Sequence, residues 1–150
     1  MSDTNIDQYI LFTVGGTSYA LPSGQVAHIE MVDHVTRVPN APAYVDGVVF
    51  SRGQVVPAVN MRARFGFERA ERDLRTRLIV VQTGRRNVGL LVDTCREFLT
   101  IPAPAIHAPG EGLTGLGAHY ITGIATIDDR LIVVLNLDSL LNSAEPILAA

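Results

Sequence analysis

Short runs of β-branched, aliphatic and aromatic residues alternate with Gly, Pro, Asn and Asp along most of the chain, the rhythm of strands joined by tight turns in an all-β fold. The pattern predicts strands at Tyr9 to Val14, Ser18 to Leu21, Gln25 to Val32, Gly47 to Ser51 and Gln54 to Val59. A second set follows at Arg77 to Thr83, Asn87 to Asp93, Arg96 to Ile101, Ile121 to Ile127 and Arg130 to Leu135. Each set closes on an asparagine, Asn60 or Asn136, before a stretch (MRARFG, LDSLLN) able to make one or two helical turns. Asparagine suits that place because its side-chain oxygen accepts from a free N–H of the first turn.

The two sets are related. Tyr44 to Gly66 aligns without a gap on Tyr120 to Asn142, every position shifting by 76, with identities at Tyr44/Tyr120, Gly47/Gly123 and Asn60/Asn136. A weaker echo pairs VAHIEMV (Val26 to Val32) with CREFLTI (Cys95 to Ile101) at an offset of 69. Matched turns and matched alternation indicate a duplication. The expected organisation is one domain of two five-stranded lobes, about 9–66 and 77–142, joined by a connector at 62–77, with strand exchange between the lobes left open.

The connector carries six of the twelve arginines against Glu68, Glu71 and Asp73. Glu68/Arg72 and Glu71/Arg75 have the spacing of helical ion pairs, so a solvated connector with a helical turn or two is expected. Its small excess of positive charge and its two rings, Phe65 and Phe67, are too little for a nucleic-acid site. The segment Pro102 to His119 is expected to be an irregular loop because prolines and glycines interrupt it.

Composition narrows the chemistry. The net charge is −3 and no lysine is present, which removes phosphate-loop lysines, Schiff-base enzymes and nucleic-acid binding from the expected functions. The single cysteine, Cys95, sits in an apolar run and has no partner for a disulfide or a zinc site. His28, His34, His107 and His119 form no zinc motif. Gly110, Gly112 and Gly115 have the spacing of a dinucleotide fingerprint, but they follow a proline-rich loop and precede a strand, so the motif is read as loop. Asp128 and Asp129 fall on a hairpin turn. No catalytic residue, cofactor or metal is predicted. The polar start MSDTNIDQ and the lack of any run near the roughly 18 apolar residues of a membrane span predict a soluble, cytoplasmic protein with no direct membrane insertion.

Four stretches in order, YILFTVGGTSYALP, VTRVPNAPAYVDGVVFSRGQVVPAVNMRARFG, TRLIVVQTGRRNVGLLVD and YITGIATIDDRLIVVLNLDSLL, resemble the CheW-like chemotaxis coupling proteins over nearly the whole chain. The resemblance implies two five-stranded SH3-like barrels packed together. It implies a non-catalytic adaptor between the cytoplasmic tip of a methyl-accepting chemoreceptor and the regulatory domain of a histidine kinase. A coupler of a pilus, biofilm or developmental pathway, or a free-standing SH3-like peptide- or ligand-binding module, are the alternatives.

By position, the resemblance places receptor contacts at Val26, His28, Ile29, Val48, Val49 and Arg52, and kinase contacts at Val88, Leu90 and Phe98. Alternation along a strand requires that about half of the apolar candidates point into the core. Two departures fall on the receptor side. His28 stands where couplers often carry Glu, and Phe50-Ser51-Arg52-Gly53 stands where they commonly read Asn-Leu-Arg-Gly.

Overall fold

The computed structural model describes residues 7–84, 86–108 and 120–141. In chain order the strands are β1 (Gln8–Val14), β2 (Thr17–Pro22), β3 (Val26–Met31), β4 (Val45–Ser51), β5 (Gln54–Asn60), β6 (Arg77–Thr83), β7 (Arg86–Val92), β8 (Thr94–Thr100), β9 (Ile106–His107), β10 (Ile121–Ile127) and β11 (Arg130–Leu135). Helix α1 (Met61–Arg64) follows β5 and α2 (Leu137–Leu141) follows β11. Two sheets result, in the orders β8-β1-β2-β11-β10-β9 and β3-β6-β7-β5-β4.

The sheets correspond strand for strand, and the correspondence explains both sequence offsets. Shifted by 69, β1, β2 and β3 become β6, β7 and β8; shifted by 76, β4, β5 and α1 become β10, β11 and α2. Even the irregularities repeat. Beside β6 the register of β3 skips Ala27, and beside β1 the register of β8 skips Arg96. Thr36 bridges Val48 where His107 pairs with Ile124. Yet the sequence repeats are not the sheets. Each repeat gives its first hairpin, β1–β2 or β6–β7, to the sheet holding the other repeat's remaining strands, through the parallel pairs β2/β11 and β5/β7.

This exchange makes three cores. Leu78, Val80, Leu91, Val49, Val56 and Ala58 fill one curled sheet, and Leu11, Ala20, Ile101, Ala125, Ile132 and Val134 fill the other. The largest core lies between them, where Ile10, Phe12 and Val14 of β1 meet Ile79 and Val81 of β6 and Val88, Leu90 and Val92 of β7. Burial on both faces accounts for the unbroken apolar runs of the exchanged hairpins, since a strand with one wet face would alternate. Met61 of α1 and Leu137, Leu140 and Leu141 of α2 cap the shared core.

The three identities of the duplication each have a physical cause. The carbonyls of Tyr44 and Tyr120 accept from the backbone N–H groups of Asn60 and Asn136 at 2.7 and 2.9 Å. Those asparagine side chains then accept from Ala63 and Ser139 and start the two helices. Gly47 and Gly123 let another backbone cross: a Cβ there would stand 2.0 Å from the Thr36 oxygen or 2.6 Å from the His107 oxygen.

Two expectations are corrected. Residues 67–75 contain no helix; instead of pairing along a helix, Arg69 reaches Asp46 at 3.1 Å and the Ala43 carbonyl, while Arg62 binds Asp93 and the Glu68 carbonyl. These tethers hold the connector as an extended strap. The loop from Pro102 is not wholly irregular, because a 3-10 turn at Ala103–Ala105 leads into β9, which pairs with Ile124 and Ala125 of β10. Gly110, Gly112, Gly115 and His119 lie outside the described residues.

The crossing at Gly47 gives a direct test. Gly47 has φ near +150° and no room for a side chain, so Gly47→Ala is expected to cost about 3 kcal/mol or more in a denaturant titration. At Gly24, where a Cβ meets nothing, Gly24→Ala is expected to change stability by less than about 1 kcal/mol. Equal effects would show that the crossing does not constrain the fold.

Candidate functional site

The five-stranded sheet, the first of the two by chain order of their edge strands (β3 and β4 precede β8 and β9), closes on itself through side chains. Ser51, at the end of β4 and only 4% exposed, donates its hydroxyl to Glu30 of β3 at 2.5 Å. His28 Nε2 lies 2.7 Å from Glu30 and 2.9 Å from Ser51. Edge strands β3 and β4 are thereby locked together. The second sheet closes differently at the equivalent residues: Leu99 and Ile127 pack against its core, and Glu97 pairs with Arg130 at 3.1 Å.

Serine, histidine and glutamate together invite a catalytic reading, which the geometry rejects. In a nucleophilic triad the imidazole stands between hydroxyl and carboxylate, using one nitrogen for each. Here both oxygens meet the same nitrogen, and the hydroxyl proton goes to Glu30 rather than to the imidazole. The trio is a lock. Among the described residues no three His, Cys, Asp or Glu side chains are grouped to hold a metal.

Beyond the lock, the β4–β5 hairpin carries an apolar tip. Phe50 and Val55 oppose each other across the hairpin and are 73% and 65% exposed. Arg52 and Gly53 make the turn between them with φ of 50° and 83°, a left-handed pair that favours Gly and Asn and strains an arginine. Among the described residues the Arg52 side chain makes no ion pair or hydrogen bond. The matching turn uses Asp128 and Asp129, at 50° and 65°, so the fold needs the turn but not the arginine. The second sheet shows Leu131 at 63% and Phe98 at 64% exposure, each next in sequence to a member of the Glu97–Arg130 pair.

Measured against these surfaces, the sequence candidates divide. Arg52 and Phe98 are exposed. Val26 and Ile29 are half-buried against the shared core, and Val48 is half-buried beside Thr36. Val49 is buried in the first sheet's core, and Val88 and Leu90 in the shared core, where their contacts are packing contacts. Sequence reasoning missed Phe50, Val55 and Leu131. Alternation could have found them: with Val49 and Ser51 inward, Phe50 must face out, Val55 stands opposite it, and the offset of 76 carries Val55 to Leu131.

The CheW-like domain family matches residues 8–145. The chain belongs to this family. It is 31% identical to the chemotaxis protein CheW of Klebsiella aerogenes, over 92% of this chain and 83% of that one. With the CheW of Rhizobium meliloti it shares 35% identity, over 92% and 89%, and with protein FrzA of Myxococcus xanthus 28%, over 91% and 86%. Among solved structures it is similar to the scaffolding protein TtCheW of Thermoanaerobacter tengcongensis, with a TM-score of 0.85 and 24% identity over 95% and 97% of the chains. CheW-like proteins are non-catalytic scaffolds. Within this CheW-like chain the two departures noted in sequence meet in space. His28 and Ser51, standing where Glu and Leu are common in couplers, touch each other and share Glu30.

Removing the Ser51 hydroxyl strips Glu30 of a donor, so Ser51→Ala is expected to cost about 1–3 kcal/mol by chemical denaturation. Writing the second sheet's closure into the first, as His28→Glu, Glu30→Leu, Ser51→Ile and Gln54→Arg together, is expected to recover that loss. A fourfold variant no more stable than Ser51→Ala would show that the two closures are not interchangeable.

Burial pushes the Cys95 thiol up to about 11 from an ordinary 9.0 and raises the phenols of Tyr9, Tyr19 and Tyr120. Acids raised on folding stabilise the fold below their unfolded values and lose that contribution as pH climbs to the folded ones. Stability is therefore expected to fall between pH 9 and about 11, and Cys95→Ser to flatten the fall. A flat profile across that range would contradict the assignment.

Proposed function

We propose that this chain is a non-catalytic adaptor that couples the cytoplasmic tip of a methyl-accepting chemoreceptor to the regulatory domain of a chemotaxis-type histidine kinase. The observation that carries the reading is exposed apolar side chains on both sheets, the Phe50/Val55 pair beside Arg52 on one, and Phe98 and Leu131 flanking the Glu97–Arg130 pair on the other. A bridging protein needs two distinct faces in a fixed relation, and the shared core supplies that relation. Membership of the CheW-like family and relatives named as chemotaxis proteins support it. No helix among the described residues is long and apolar enough to cross a membrane; family membership is what supports assigning the chain to the cytoplasmic side of receptor arrays, held there by protein contacts.

We assign the receptor to the first sheet, through Arg52, Phe50 and Val55, with His28, Val26, Ile29, Val48 and Val49 supporting that face from behind. The kinase is assigned to Phe98 and Leu131, with Val88 and Leu90 acting through packing alone. Phe50 is the departure that faces outward, whereas His28 and Ser51 are spent on closing the sheet. Receptor choice, and with it the choice between flagellar chemotaxis and another chemosensory pathway, is therefore assigned to Phe50.

Three variants test this with the receptor cytoplasmic domain and the kinase regulatory domain as separate ligands. Arg52→Gly is expected to raise the melting midpoint, by relieving the left-handed strain, while weakening receptor binding by about tenfold or more. Phe50→Ser is expected to weaken receptor binding alone, and Phe98→Ser with Leu131→Ser kinase binding alone. If Arg52→Gly lowers the midpoint and removes both partners together, the arginine is structural and the receptor assignment is wrong.

A further inference from the structure

A cleft of about 940 Å³ lies between the segment Val35–Asp46 and the connector strap, at the end of β4 away from Arg52. Asp46, at the cleft, stands four residues along β4 from Phe50, about 13 Å, so the cleft opens away from the Phe50/Val55 tip, while Val35 joins its wall to the core behind Val49. Its charge is opposite to that of the chain. Three arginines, Arg37, Arg69 and Arg72, line it against one aspartate, Asp46, leaving +2 on a protein of net charge −3.

The arginines have different standing. Arg69 is committed, tying the strap to Asp46 and to the Ala43 carbonyl. Arg37 and Arg72 reach the cleft from two different segments and, among the described residues, engage no carboxylate or carbonyl. Valines and prolines, among them Val35 and Val38, supply an apolar lining between them.

Both walls are held in place without a ligand. One is fixed by the reciprocal bonds of Thr36 with Val48, by Val45 donating to the Pro42 carbonyl, and by two prolines. The other is fixed by Arg62 on Glu68 and by the turn in which the Asp73 carboxylate accepts from Arg75. A site whose walls need no ordering loses little entropy when it is filled.

We propose that this cleft docks an extended acidic segment of a partner protein, with carboxylates on Arg37 and Arg72 and an apolar residue between them on the valine lining. Planar guanidinium groups bind carboxylates through paired, directional hydrogen bonds, and arginine clusters are a recurrent means of reading acidic motifs. A lone inorganic anion would leave most of the cleft and its apolar lining wet. Nucleic acid is disfavoured because no aromatic ring is among the described lining residues to stack a base.

The test uses the full chain, 15N-labelled, titrated with the amidated peptide ELPEVDEL, with its neutral counterpart QLPQVNQL and with inorganic phosphate. The acidic peptide is expected to shift amides of residues 35–46 and 69–72 while leaving those of residues 50–55 in place. Binding is expected to weaken about tenfold or more in Arg37→Ser with Arg72→Ser, and again between about 0.05 and 0.5 M salt. Both side chains are exposed, so the variant spectrum should otherwise match the parent; if the double variant does not fold, the single changes Arg37→Gln and Arg72→Gln take its place. The proposal is overturned if no shifts appear at millimolar peptide, if they map elsewhere, if the neutral peptide binds equally well, or if the variants bind undiminished. Phosphate alone reproducing the shifts at equal concentration would make the cleft a small-anion site and overturn it too.

Discussion

The apolar core shared by the two sheets is the constraint on which the rest of the structure depends. Sheets of five or six strands need a partner face to bury, and here the exchanged hairpins β1–β2 and β6–β7 supply both partners at once. Each hairpin belongs in hydrogen bonding to one sheet and in sequence to the other repeat. Pulling the sheets apart would therefore expose Phe12, Ile79 and Leu90 and strain the chain at the junctions of both hairpins. A two-faced body follows from that packing.

Duplication gives this body an approximate twofold relation, and its breaks are as informative as its matches. On the axis itself a single residue cannot be symmetric. Arg64 of α1 lies 5.1 Å from the ring centre of Tyr44 and 5.4 Å from that of Tyr120, and it donates at 2.9 Å to the carbonyl of Leu140, its own counterpart at the offset of 76. Two equivalent tyrosines thus hold one cation, a favourable arrangement for partly desolvated charge. The edge closures break the symmetry again, polar in one sheet and apolar with an ion pair in the other. The matching turns break it a third time, because one carries a strained arginine and the other two aspartates.

Much of this was legible in the chain. Strands, turns and capping asparagines could be read because each depends on neighbours close in sequence. Both offsets, 69 and 76, were visible too, and the seven-residue difference between them falls in the loops that follow β3 and β8. The exchange was not legible, since the pairs β2/β11 and β5/β7 join segments far apart in the chain and leave no local periodicity. The same exchange hid which apolar candidates were core. A strand buried on both faces has no alternation to separate Val88 and Leu90 from a surface pair, whereas the one-sided β4 does alternate, and its pattern, Val49 inward and Phe50 outward, was there to be read but did not guide the choice of Val49 over Phe50. The lock of His28, Glu30 and Ser51 was half visible, as two departures whose meeting in space only the closed sheet reveals.

Rigidity decides how such a body can transmit a signal. Coupling between two sites is a free energy shared by two states, and it can arise without any change of shape in the adaptor if the adaptor fixes where its partners sit. The shared core makes the two sheets one geometric unit, so a partner held, as proposed, on Phe50 and Val55 would move together with one held at Phe98 and Leu131 or break a contact. A flexible linker between two independent barrels would dissipate the same displacement into linker conformations. Exchanging hairpins removes that freedom, because the connector between the repeats runs between strands already bound into the same sheet, β5 and β6, and carries no load from one sheet to the other. Mechanical continuity runs instead through β2 into β3 and β7 into β8, the two short junctions where the chain crosses between sheets, and through the apolar core that those junctions bracket.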